Sequence, residues 1–78
     1  MKKVIDLHGL THEESLVKVE EYLLLNSFDN DLDLELITGK SPKLQQKIIN
    51  QILNKHNYNY YIPDNNTGVM FIADTRIN

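Results

Sequence analysis

Twice in this chain a short apolar run ends in a glycine turn and hands over to a helical pattern. The first is Val4-Ile5-Asp6-Leu7-His8-Gly9 ahead of Thr11, the second Leu34-Glu35-Leu36-Ile37-Thr38-Gly39 ahead of Ser41. A repeated strand-turn-helix leaves few folds open. If the two strands lie parallel and adjacent, both turns sit on the carboxyl edge of one sheet beside helix N-termini, where open α/β sheets bind ligands. Two right-handed crossovers in one sheet place both helices on the same face.

Strand one is expected over residues 3–7, with Ile5 and Leu7 on one face and Val4, Asp6 and His8 on the other. Thr11-His12-Glu13-Glu14 fits a capping box, the hydroxyl and the Glu14 carboxylate exchanging bonds with main-chain N–H groups. Helix one then runs over about 12–25, with Leu16, Val19 and Leu23 on one stripe flanked by Tyr22. Residues 27–31 read as a loop. Residues 32–37 alternate as a strand with one apolar face. Ser41 can cap helix two, and Pro42 suits its first position because the missing N–H would be unpaired there anyway. Leu44, Ile48, Ile49, Ile52 and Leu53 form the expected buried stripe, which ends near 56–57. Strand three is expected over 58–62, the turn formers of 63–68 follow, and strand four covers 69–73. The fold class is therefore α/β in the broad sense, an α+β two-layer sandwich. Its order is β-α-β-α-β-β, with a four-stranded mixed sheet and both helices on one face. The other face is left at least partly open. Tyr58, Tyr60, Val69 and Phe71 are candidates for that face, although aromatics at such positions are more often core.

Composition narrows the class. The 78 residues make one small domain, 1–78, and a chain of this size buries only about 60% of its unfolded surface. With no cysteine, disulfides and thiolate metal sites are excluded. The start reaches Asp6 before any apolar run long enough for a signal peptide, and nothing approaches the roughly 20 apolar residues of a membrane span. A cytoplasmic protein without a membrane partner is expected. The net charge of −3 argues against tight, purely electrostatic nucleic-acid binding.

Chemistry-bearing residues gather at the two turns. Asp6 and His8 leave the same face of a strand, and a carboxylate beside an imidazole can orient the ring for proton transfer. A structural hydrogen-bonded pair is the competing reading. Gly9 lets the backbone turn sharply. Thr38, Gly39, Lys40 and Ser41 lead into a helix whose first turn holds Pro42, Lys43 and Leu44 but no acid. Unpaired N–H groups, the helix dipole, a hydroxyl and a lysine make an anion site, against an ordinary capped turn. Helix one is the poorer candidate because Glu13 and Glu14 occupy its positive end. Gly39-Lys40-Ser41 resembles the end of a nucleotide-binding P-loop, but the required first glycine falls at Leu34 inside a strand, so that reading is rejected. His8 and His12 straddle a turn, outside helical ligand spacing, and His12 lines up with the buried stripe, so no metal site is expected. Lys43 and Lys47 lie opposite the apolar stripe, as a solvated face or a phosphate-tracking strip. His56 favours the C-terminal dipole of helix two. Leu24 and Leu25 fall off the stripe of helix one and could mark a partner surface.

These residues resemble the Smr (small MutS-related) domain over nearly the whole chain. The resemblance rests on Leu7-His8-Gly9 with Asp6 before it and Thr11 after, on Thr38-Gly39-Lys40, and on the Pro63, Asn66, Gly68-Val69 hairpin. It implies a sandwich similar to the C-terminal domain of translation initiation factor three. It also implies nucleic-acid binding, with DNA-nicking or RNA-cleaving endonuclease activity in several members. Asp6 and His8 match the first motif, as the catalytic pair. Gly39 and Lys40 match the second, usually [HT]-G-x-G. The residues themselves add Gly9, Thr38, Ser41 and Lys43 to the expected phosphate-binding set. The chain departs from the pattern at Ser41 and Pro42, where a second glycine is usual, and at Gln45, where a base is common. Both changes are expected to weaken a phosphate site. The partner expected is DNA or RNA, with a ribosome or a larger protein as a further partner. No cofactor is demanded, and a requirement for Mg2+ stays open. The alternatives are a non-catalytic binder of RNA or ribosome and a protein-interaction module.

Overall fold

The structure, a computed structural model, describes residues 3–26 and 32–73. Its elements run β1 (Lys3–Asp6), α1 (His12–Leu25), β2 (Asp33–Ile37), α2 (Pro42–Ile48), β3 (Asn59–Tyr61) and β4 (Val69–Ala73). The loop expected over 27–31 lies outside the described residues. The order is the expected β-α-β-α-β-β, and the sheet is mixed and four-stranded, in the order β1-β2-β4-β3. β1 pairs parallel with β2, while β4 runs antiparallel between β2 and β3. Composition explains the interior place of β4. Val69-Met70-Phe71-Ile72 is continuously apolar, with Met70 and Ile72 fully buried, as an inner strand requires. Asn59-Tyr60-Tyr61 is exposed throughout and takes the edge.

Pleating then sorts the faces. Ile5 pairs with Leu36, Leu34 with Ile72 and Leu36 with Met70, so these side chains share one side and pack with Val19 and Leu23 of α1 and with Leu44, Ile48, Ile52 and Leu53. Both helices cover this face. Burying each such side chain contributes about 1.5–3 kcal/mol. On the other side a row runs Val4, Glu35, Phe71, Tyr61 across all four strands. There the Tyr61 and Phe71 rings stack at 6.1 Å and 28°. Val69 and Phe71 thus face the open side. Tyr60, opposite Ile72, belongs to the helix side, and Tyr58 packs against the core.

Helix termini follow their sequence signals. Thr11 Oγ1 accepts the Glu14 N–H at 3.1 Å and Glu14 Oε1 accepts the Thr11 N–H at 2.9 Å, the full capping box. Ser41 Oγ accepts the Leu44 N–H at 3.3 Å, with Pro42 in the first turn. One departure concerns helix two, expected as a single α-helix. After Ile48 it passes into a π-helical turn over Ile49–Leu53, where the Asn54 N–H reaches back to the Ile49 carbonyl at 2.8 Å. It closes where expected, near 56–57. Asn57 has φ +64° and the Tyr58 N–H bonds the Leu53 carbonyl at 2.8 Å, a left-handed cap of Schellman type. Among the described residues no helix is long and apolar enough to cross a membrane.

Candidate functional site

The β1–α1 turn is a tight one. The Leu10 N–H donates to the Leu7 carbonyl at 3.1 Å, and Gly9, third of the four residues, has φ +83°, as a type II turn demands. The Leu7 N–H donates to the Ile37 carbonyl at 3.0 Å, which fastens this turn to the end of β2. His8 is left exposed at the sheet's edge. Asp6 acts differently from the ring-orienting carboxylate expected of it. Its Oδ1 accepts the main-chain N–H of His8 at 2.9 Å, so it shapes the turn. Among the described residues nothing holds the His8 ring by a hydrogen bond.

The β2–α2 turn is held by a carbonyl from 30 residues away. The N–H groups of Thr38 and Gly39 both donate to the Gly68 carbonyl, at 2.9 and 3.0 Å, and the Ser41 N–H donates to the Gly39 carbonyl at 2.8 Å. The buried Thr38 hydroxyl lies 2.8 Å from the Gly39 carbonyl and 3.1 Å from that of Gly68, and it accepts from Gln45 Nε2 at 2.9 Å. Gln45 Nε2 also donates to the Thr67 carbonyl at 2.7 Å. Gln45, expected as a missing base, is instead a buried bracket tying α2 to β2 and to the hairpin. An anion cradle built from Thr38 and the amides of Gly39 and Ser41 is therefore largely occupied by the protein's own acceptors. The main-chain N–H groups of Lys40 and Lys43 have no acceptor among the described residues, and both residues are exposed. Gly39 itself has φ +69°, with open space where a Cβ would go. Gly39→Ala is expected to cost about 1 kcal/mol, for the left-handed backbone alone. Urea unfolding checks this, and Gly39→Asn should recover part of the loss because Asn tolerates that conformation.

The two turns face one cleft of about 410 Å³. Asp6, His8, Gly9 and His12 line it from the β1–α1 side, and Thr38, Gly39 and Ser41 from the β2–α2 side. Leu7, Leu10, Ile37 and Leu44 also contribute to its wall. Its size is at the lower end of small-ligand sites. Lys40 and Lys43 lie outside its lining. His12 is a finding of the fold. Expected on the buried stripe, it is half-buried in the first turn of α1 and lines the cleft. Lys47, read above as part of a solvated face or a phosphate-tracking strip, is half-buried with Nζ 3.2 Å from His12 Nδ1. An ammonium has only protons to offer, so Nδ1 is the acceptor and the neutral ring carries its proton on Nε2. His56, assigned above to the helix end, has Nε2 3.5 Å from Glu20 Oε2. Among the described residues no cluster of three or more His, Asp or Glu is placed to hold a metal ion.

One signal readable in the sequence completes the site. Between Glu35 and Asp64 there is no acidic residue, while Lys40, Lys43, Lys47 and Lys55 fall within that run. The net charge conceals a segregation, with α2 basic and α1 carrying Glu13, Glu14, Glu20 and Glu21 against Lys18. The geometry defines a small α+β sandwich with a histidine-bearing cleft on the carboxyl edge of its parallel strands. No protein-family model, curated protein or solved structure matches the chain.

Proposed function

We propose that this cleft binds the phosphodiester backbone of a nucleic acid and that the protein is an endonuclease, in keeping with the resemblance to Smr domains. One observation carries the reading. Two imidazoles, His8 and His12, share a cleft beside a helix whose side chains are basic and never acidic. Cleaving a phosphodiester needs a proton taken from the attacking oxygen and a proton given to the leaving oxygen. Imidazole takes one and, as imidazolium, gives it back near neutral pH. In this reading His8 takes the proton from a water or a ribose 2′-hydroxyl and returns it to the leaving oxygen, while the neutral His12, its tautomer fixed by the Lys47 ammonium, donates an Nε2–H hydrogen bond to a phosphoryl oxygen. Lys40 and Lys43 guide the strand across the rim.

A second reading is a non-catalytic binder of RNA or of the ribosome. It draws support from the bonds that Gly39 and Ser41 already make, which leave fewer amides to stabilise charge developing on phosphoryl oxygens. Labelled single-stranded RNA and DNA, incubated with the protein with and without Mg2+, separate the readings. If Lys40, Lys43 and Lys47 each neutralise one phosphate, log K should fall with log salt at a slope of about −2 for a single strand. Cleavage with that slope supports the endonuclease, and the slope without cleavage supports the binder. Affinity that ignores salt removes both.

A further inference from the structure

The outer face of α1 is apolar along its centre and acidic along both sides. Val17 is 65% exposed, Leu24 57% and Leu25 78%, an unusual concentration of large apolar side chains in water on one short helix. At 3.6 residues per turn, Val17 and Leu24 lie on one line along the helix. Glu13 and Glu20 flank that line on one side, Glu14 and Glu21 on the other, opposite the buried stripe of Ser15, Val19 and Leu23. Two shallow grooves meet on this line. One has a volume of about 440 Å³ and is lined by Leu10, Glu13, Glu14, Val17, Lys18 and Glu21, its lysine set against carboxylates on both sides of the ridge. The other is about 310 Å³ and runs from Val17 and Glu20 to Leu24 and Leu25. They share Val17 and Glu21. Glu14 also caps the helix and Glu20 lies beside His56, while Glu13 and Glu21 are exposed.

We propose that this face docks a basic amphipathic helix of another protein, its apolar ridge against Val17 and Leu24 and its lysines or arginines against the two rows of glutamates. Charge selects this occupant. Residues flanking an apolar seam set partner choice between packed helices, and like charges across the seam are repelled. A second copy of the chain would bring glutamates against glutamates, and a nucleic-acid strand would meet the same four carboxylates. The inference goes beyond the cleft, because it assigns a ligand of opposite charge to a different surface.

The test uses the full chain and two synthetic 21-residue helical peptides with identical leucine seams, one flanked by lysine and the other by glutamate. NMR titration should show the lysine peptide shifting the amides of Glu13, Val17, Glu21 and Leu24, with affinity that falls as salt is raised. A Val17→Ser, Leu24→Ser double variant should bind at least tenfold more weakly at an unchanged melting temperature, since both side chains are exposed. The proposal is overturned if the lysine peptide fails to bind or shifts the cleft instead. Equal binding of the glutamate peptide overturns it too, as does sedimentation showing that the chain pairs with itself through this face.

Discussion

In a cleavage assay on its preferred strand, His8→Ala is expected to turn over at least about 10²-fold more slowly than wild type, the lower bound of what a positioned acid or base contributes. Binding should change far less, because His8 is one exposed contact among several basic ones and the fold does not lean on it. The loss should therefore fall on kcat rather than KM, as it does when an interaction made only in the transition state is removed. Asp6→Asn is the informative companion. The Asp6 carboxylate accepts the His8 main-chain N–H, and an amide oxygen can accept the same bond, more weakly for want of charge. Asp6→Asn should stay within a few-fold of wild type, whereas a carboxylate that steered the imidazole would lose as much as His8→Ala. Wild-type rates from His8→Ala would remove the acid–base role and leave the binder reading.

Local rules made much of this molecule readable. The capping box at Thr11 and Glu14, the Ser41-Pro42 helix start, the alternation through β2 and the apolar run of β4 each depend on neighbours within a few residues, and each lies where the pattern puts it. What escaped the sequence was set by contacts between distant segments. The apolar run of β4 suits an inner strand, but which two strands flank it is a property of the assembled sheet. Gln45 read only as a missing base because its partners, Thr38 and Thr67, are 7 and 22 residues away. The amides of Gly39 and Ser41 looked free because the Gly68 carbonyl that receives Gly39 belongs to the hairpin. Asp6-x-His8 was legible as a pair but not as a geometry, since a carboxylate two residues before an imidazole can reach either the ring or the main chain. His12 matched a helical stripe by spacing, yet in the first turn that stripe overhangs the cleft rather than the core. The cleft was thus legible as an address, and its wiring was not.

Gln45→Glu offers the sharpest test of that wiring, with an expected loss of about 3 kcal/mol or more at pH 7, the scale of an uncompensated buried charge. The substitution is isosteric, so the volume filled at residue 45 is unchanged. What changes is the donor of two hydrogen bonds, which becomes an acceptor. Gln45 Nε2 donates to the Thr38 hydroxyl oxygen and the Thr67 carbonyl, and an ionised carboxylate has no proton for either. It would sit at 7% exposure against two oxygens, which favours the protonated acid in the folded state and raises its pKa above the unfolded value of about 4.3. A raised folded pKa means that stability is retained below the unfolded pKa and lost as pH rises through the folded one. The variant should therefore approach wild type near pH 4 and fall away by pH 7, read as the difference in urea midpoints at each pH so that titrations common to both proteins cancel. Gln45→Leu, with no titrating group, should lose about 1–3 kcal/mol at both pH values for the bonds left unmade. A Gln45→Glu protein equally stable at the two pH values would place residue 45 in water and dissolve the bracket that keeps the second turn against the hairpin. Because that bracket holds Thr38 and the Gly68 carbonyl in register, the same variant should loosen one wall of the cleft while leaving the His8 turn, fastened separately through Leu7 and Ile37, in place.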